Sequence, residues 1–265
     1  MSFILPLEIE ETILDFLAED VEGHSALKTC SLVCQAFLPI CRKHVLRSIV
    51  LNQGDFEASP PYIFAFERLL RETPEIADYI RKLDYKIQPG DLTSPSIHES
   101  LKRISRLEFL TLRNNWLKGP RLYWSNSPIR PVLLHLLHLP TLTYFEIHID
   151  KFVVSDLIPC VNLKYLYIND LTNVAAENTF SADFPEHSIQ LKEFVAGNSA
   201  STMKLCTAQR PDGKPIIDFG SLSKIIVNLA NLNDRASQEL FRRCHALTTA
   251  HIYCKWYFRE DHHDF

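Results

Sequence analysis

The chain has 265 residues, of which 46% are hydrophobic, and its 28 Lys and Arg against 32 Asp and Glu give a formal net charge of -4. That is enough apolar material for the core of one or two domains. The slight acidity argues against a nucleic-acid binder, which carries a clustered basic face.

The two basic pairs, Arg42-Lys43 and Arg242-Arg243, are isolated and read as solvated helix faces. The first turns are acidic, with Glu8, Glu10 and Glu11, and no basic segment precedes an apolar run, so no secretory leader is expected. The most apolar stretch, 131–140, is interrupted by His135 and His138 and falls far short of the roughly 20 residues a membrane helix needs. The seven cysteines are odd in number and scattered. Cys30 and Cys34 lie one helical turn apart, but no second pair completes a metal site. All seven are read as reduced thiols. With no N-x-[ST] acceptor in the sequence, a cytoplasmic or nuclear location is expected.

Three short helices are expected in residues 1–50. Pro6 suits a helix start, and the acidic residues after it favour the positive end of the dipole. Ile9, Ile13, Phe16 and Leu17 follow the spacing of one helical face, with Leu14 as a second apolar line beside it. A loop follows at 19–23. The second helix starts near Ser25 and carries Leu27, Cys30 and Cys34, widened by Leu32 and Val33. The third runs through Phe37, Leu38, Cys41, Val45 and Leu46. Three such helices bury little by themselves. Their surplus apolar surface either packs on the next domain or fills a partner's groove.

This ordered set resembles an F-box, the helical motif that binds the Skp1 adaptor of cullin-RING ubiquitin ligases. The match covers residues 4 to about 47. The resemblance implies adaptor contacts at Leu5, Pro6, Ile9, Ile13, Leu14, Leu32, Val33 and Phe37. Many F-boxes carry tryptophan where Phe37 stands, and the 19–24 loop is slightly longer than usual. The Cys30–Cys34 run and the segment from His44 to Ile49 look most like the large F-box families of basidiomycete fungi.

Residues 51–265 are read as a second domain, joined without a low-complexity linker. Ser48, Ile49, Val50 and Leu51 form a strand, and Pro60-Pro61 opens a helix through Phe64, Leu69 and Leu70. Leu107, Leu110, Leu112 and Asn115 then match the leucine-rich repeat L-x-x-L-x-L-x-x-N. Looser copies start at Ile80, Leu142, Leu163, Leu191 and Leu247, with a weaker one at Leu222. The expected inward pairs are Leu83/Tyr85, Leu110/Leu112, Phe145/Ile147, Leu166/Ile168, Phe194/Ala196, Ile225/Val227 and Ala250/Ile252. Helices are expected at 96–105, 130–139 and 234–244. The turn asparagine is otherwise replaced, as by Asp150 and Leu171. The expected fold class is mixed α/β: three N-terminal helices that resemble an F-box, followed by an irregular, curved leucine-rich-repeat-like solenoid. An ordinary α/β sheet domain is the competing architecture.

No phosphate loop, nucleophile elbow, zinc-protease helix or dinucleotide fingerprint is present. Cys254, Asp261, His262, His263 and Asp264 match no zinc pattern and read as a polar tail. His135 and His138 share a leucine-bearing face and read as partly buried. No catalytic residue, metal or cofactor is expected. The F-box resemblance implies a non-catalytic receptor linked through Skp1 to cullin and RING subunits, holding a protein target for ubiquitin-dependent degradation. The alternative is a repeat-built interaction scaffold that recruits no ligase. Neither nucleic acid nor membrane is an expected partner. Target contacts are expected on outward strand positions: Thr111 and Arg113, Glu146 and His148, then Tyr165, Tyr167 and Asn169. The insertions at 119–127 and 198–220 are further candidates.

Overall fold

A computed structural model describes residues 6–20, 23–33, 35, 37–51, 62–114, 123–149, 151–168, 185–197, 199–229 and 235–254. Three helices come first: α1 (Leu7–Glu19), α2 (Gly23–Val33) and α3 (Phe37–Val45). Glu8 and Glu10 sit in the first turn of α1, and Arg42, Lys43 and His44 in the last turn of α3, so each end carries the charge its dipole favours. Leu14, Leu27, Ile40 and Cys41 form a small core of their own. α2 begins two residues before Ser25 because Gly23 admits a close approach. A Cβ there would lie 1.7 Å from the Leu17 carbonyl oxygen.

The remainder combines eight strands of one sheet and two of a second with five further α-helices among the described residues. In chain order it holds β1 (Ser48–Leu51), α4 (Tyr62–Glu72), β2 (Lys82–Ile87), α5 (Pro95–Lys102) and β3 (Phe109–Asn114). Next come α6 (Arg130–Leu137), β4 (Tyr144–His148), β5 (Tyr165–Ile168), β6 (Ile189–Gln190), β7 (Glu193–Ala196) and α7 (Ser199–Thr207). β8 (Ile217–Asp218), β9 (Lys224–Leu229), α8 (Arg235–Arg243) and β10 (Thr249–Cys254) complete it. Eight strands make one sheet in the order β1-β2-β3-β4-β5-β7-β9-β10, and every pairing in it is parallel. β6 and β8 form a separate parallel pair. The fold is mixed α/β around a mostly parallel sheet that does not close into a barrel, with β1 and β10 at its edges.

Register follows from hydrophobic alternation, since slipping one residue would turn every core side chain to solvent. Leu83, Leu110, Phe145, Leu166, Phe194 and Ile225 stand in one row. Tyr85, Leu112, Ile147, Ile168, Ala196 and Val227 stand in the next. Both rows are buried in one core with Ile97 and Leu101 of α5 and Leu133, Leu136 and Leu137 of α6. The last expected pair departs from this: Ala250 and Ile252 keep the register on edge strand β10 but are exposed. Phe64, expected to help bury α4, is exposed too, and α4 packs through Ile63, Phe66 and Leu70.

Two carboxylates inside, Asp91 and Asp156, are paired, whereas His98 Nε2, Asn114 Oδ1 and Ser127 Oγ are buried without a hydrogen-bond partner among the described residues. The Tyr85 hydroxyl donates to Asp91 Oδ2 at 2.8 Å, and burial holds the Asp91 carboxyl above the usual carboxylate range. Asp156 accepts from Trp124 Nε1 at 2.6 Å and from Arg130 Nη2 at 2.9 Å, tying the segment before α6 to the turn after β4. His138 Nε2 lies 2.9 Å from the Asp156 carbonyl oxygen and is half-buried as expected, whereas His135 points to solvent. Cys30, Cys41, Cys160, Cys206 and Cys244 are free thiols, and burial pushes Cys206 up to about 12 and Cys244 to about 11. No helix among the described residues is long and apolar enough to cross a membrane.

Asp156→Ala should lower stability by about 2–4 kcal/mol, because it leaves the buried Trp124 indole N–H without its acceptor and removes the Asp156 carboxylate from the Arg130 guanidinium. Urea unfolding of both chains measures this, and a loss under roughly 1 kcal/mol, the size of an exposed ion pair, would refute the account.

Candidate functional site

Two surfaces carry chemistry-bearing side chains. The first lies on α1 and α2. Of the two apolar lines on α1, Leu14 faces the small core and is 3% exposed, with Leu17 and Ala18 against the same cluster. The line Ile9, Ile13 and Phe16 faces solvent, Phe16 at 72% exposure. On α2, Leu27 packs inward while Leu32 and Val33 are 87% and 74% exposed. The adaptor set drawn from the sequence therefore divides. Ile9, Ile13, Leu32 and Val33 are presented outward, with Pro6 exposed beside them. Leu14 is corrected to a core residue, since no partner could reach it without opening the three helices. Phe37 is half-buried against the same core, and Leu5 lies outside the described residues. Spacing alone does not find Phe16 as an outward residue, because it has the same period as a buried face.

The second surface is the face of the sheet opposite the core. One row of it holds Lys82, Phe109, Tyr144, Tyr165, Glu193 and Lys224. The next holds Asp84, Thr111, Glu146, Tyr167 and Val195, followed by Lys86, Arg113 and His148. Phe109 and Tyr144 rings lie 5.6 Å apart and Tyr144 and Tyr165 rings 6.3 Å apart, forming an aromatic stripe. The stripe is a product of in-register pairing, which sets side chains on neighbouring strands within reach of each other.

Glu146 lies at the centre of this face. His148 Nε2 is 2.6 Å from Glu146 Oε1, and the Tyr144 hydroxyl donates to Oε2 at 2.9 Å. Thr111 Oγ1 donates at 3.4 Å, and Arg113 Nη2 stands 4.0 Å away while its Nε is 3.3 Å from Asp84. The His148 hydrogen bond, helped by Tyr144 and the Arg113 charge and opposed by burial, holds the Glu146 carboxyl below its ordinary range. Burial, then the bond to Glu146, raises the Tyr144 hydroxyl. A carboxylate offers about four acceptor positions. Three hydrogen bonds to Glu146 come from within the face, so its carboxylate orients His148, Tyr144 and Thr111 around it. Thr111, expected as a contact, is 6% exposed: its neighbours cover it and its hydroxyl is turned onto Glu146. Tyr165 and Tyr167 are half-buried, with Leu166 and Ile168 behind them. Asn169 lies outside the described residues.

Of the two insertions, the described part of 119–127 contributes the buried Trp124. The described part of 198–220 folds as α7, β8 and the buried Arg210, which donates to the Pro185 carbonyl at 2.6 Å. Of the C-terminal polar cluster, Cys254 ends β10 while Asp261, His262, His263 and Asp264 lie outside the described residues, and no group of three or more His, Cys, Asp or Glu side chains suited to a metal occurs among the described ones. Neither protein-family models nor curated proteins give a match to this chain.

A lowered folded carboxyl contributes stability that is present above the unfolded value and lost as pH falls through the folded one. Glu146→Gln keeps the shape without the charge, so it should be less stable than the native chain near neutrality. The gap should narrow on acidification below about pH 4. Urea midpoints of both chains across that range provide the check, and a gap independent of pH would contradict it.

Proposed function

We propose that the chain is the substrate-receptor subunit of a Skp1–cullin–F-box type ubiquitin ligase, and is itself non-catalytic. On this reading α1, α2 and α3 are an F-box and the rest is an irregular, curved leucine-rich-repeat-like solenoid. The observation that carries the proposal is the outward apolar set on α1 and α2. Ile9, Ile13, Leu32 and Val33 occupy positions where the F-box resemblance implies adaptor contacts, and all four are exposed. A monomeric surface rarely displays several large apolar side chains without a use. Side chains at helical spacing are suited to anchoring in a hydrophobic groove.

The strand order supports the solenoid half. Each strand of the main sheet pairs with the next in parallel without any doubling back, as expected when each unit buries its apolar side against its neighbours. The open face would then receive the protein target. Arg113, Glu146, His148, Tyr165 and Tyr167 remain its proposed contacts, with Glu146 acting through the groups it orients. Tyrosine and arginine are favoured anchors in protein interfaces. The receptor would hold its target near the ligase while the associated conjugating enzyme supplies ubiquitin.

Purified Skp1 should be captured by the full chain. Joint Ile13→Asp and Leu32→Asp changes should weaken capture by roughly 30-fold or more. Both side chains are outside the core, so thermal unfolding of the variant should match that of the native chain. Absence of Skp1 capture by the folded native chain would sink the ligase reading and leave an interaction scaffold.

A further inference from the structure

We propose that the cavity between the end of α3 and the entries of β2 and β3 binds a small molecule carrying several phosphate groups. The cavity measures about 430 Å³ and draws Lys43 and Arg47 from the α3 end, Arg81 from the turn before β2 and Arg106 from the turn before β3. In the sequence Lys43 belongs to an isolated basic pair and the arginines are far apart. The fold gathers all four.

Their internal neutralisation is loose. The one acidic side chain lining the cavity, Asp78, accepts from Ser105 Oγ at 2.9 Å. Glu108 spans Arg81 Nε at 3.5 Å and Arg47 Nη2 at 3.8 Å, both longer than a charge-assisted hydrogen bond. Lys43 Nζ lies 3.5 Å from Glu11, with both side chains about half-exposed. Arg106 is exposed and has no carboxylate partner among the described residues. His44, also in the lining, is engaged with Asp15 at 2.9 Å. Arg81 Nη1 donates to the Asp78 carbonyl at 2.6 Å, which fixes its guanidinium at the cavity wall.

Three of the four cations are guanidinium groups, whose planar forks fit phosphate oxygens in pairs. The volume is that of a small-ligand pocket and exceeds what a single phosphate group needs. The cluster is local in a chain of formal net charge -4, which favours a small polyanion over a nucleic-acid strand. A ligand here would bridge the three N-terminal helices to the first strands of the sheet, so binding would stabilise the folded chain.

The test is calorimetric titration of the full chain with inorganic tripolyphosphate, alongside thermal unfolding, with sodium chloride matching the ionic strength of each step. Saturable one-to-one binding, a rise in unfolding temperature that chloride does not reproduce, and weakening by about tenfold or more in Arg106→Glu and in Lys43→Glu are expected. Both side chains are exposed, so the variants should fold, and Arg106→Gln serves if the charge reversal does not. No saturable heat with the native chain, a shift that chloride reproduces, or unchanged affinity in the folded variants would overturn the proposal. None of these outcomes bears on Skp1 capture.

Discussion

The structure depends on one repeated interaction at the entry to every strand of the main sheet except the last, β10. The carbonyl oxygen of the residue before a strand accepts two consecutive N–H groups from the neighbouring strand. Arg47 accepts from Arg81 and Lys82, Arg81 from Glu108 and Phe109, and Glu108 from Thr143 and Tyr144, at 2.7–3.0 Å. Thr143, Lys164, Lys192 and Ser223 continue the series at 2.7–3.1 Å. Thr143 Oγ1, Ser223 Oγ and Thr248 Oγ1 add a third donor at 3.2, 2.9 and 2.9 Å to the carbonyls of Glu108, Lys192 and Ser223. Buried backbone groups must be paired. Here one acceptor per unit satisfies two donors and fixes where the next strand begins.

A fixed entry explains how irregular spacing yields regular register. The first apolar residue of each unit falls at 80, 107, 142, 163, 191, 222 and 247, so no constant length separates them. Ile80, Leu107, Leu142, Leu163, Leu191 and Leu222 are nonetheless all buried, and the inward rows align strand by strand. Length differences are taken up after the strand, as in the α7 and β8 segment between β7 and β9. The same register produces the open face. The stripe of Phe109, Tyr144 and Tyr165 and the cluster around Glu146 exist because neighbouring strands begin at equivalent positions.

The strands and their inward pairs were legible because burying one sheet face imposes a period of two, and seven similar segments report the same period. Ala250 and Ile252 show the limit: β10 keeps the register but has a strand on one side only. α1 was harder. It carries two adjacent apolar lines, and periodicity does not say which one α2 and α3 will take. Leu14 was taken because it meets Leu27, Ile40 and Cys41, a contact set by sequence-distant residues. Thr111 lies on the open face as alternation requires but is covered, because alternation says nothing of its neighbours; Glu146, thirty-five residues away, draws the hydroxyl in. The basic cavity left no local trace, since its cations come from three separated segments.

The two cores differ in what they can sustain. The sheet core is one continuous cluster from Leu51 to Leu240, whereas among the described residues the three helices share four fully buried apolar side chains, with Leu17, Ala18, Cys30, Phe37 and Val45 partly buried against them. Fixing a residue's backbone costs about 1–2 kcal/mol, and fully burying one large apolar side chain returns about 1.5–3 kcal/mol. Four buried side chains are therefore few against the ordering of three helices. The helices must draw on contacts beyond their own core, including Arg47, whose carbonyl starts the strand-entry series and whose guanidinium reaches Glu108. Burying Ile9, Ile13, Phe16, Leu32 and Val33 against a groove would add apolar area where the internal core is thinnest. Adaptor binding and helix ordering would then be coupled, so a variant that weakens the small core should also weaken capture without touching the exposed side chains.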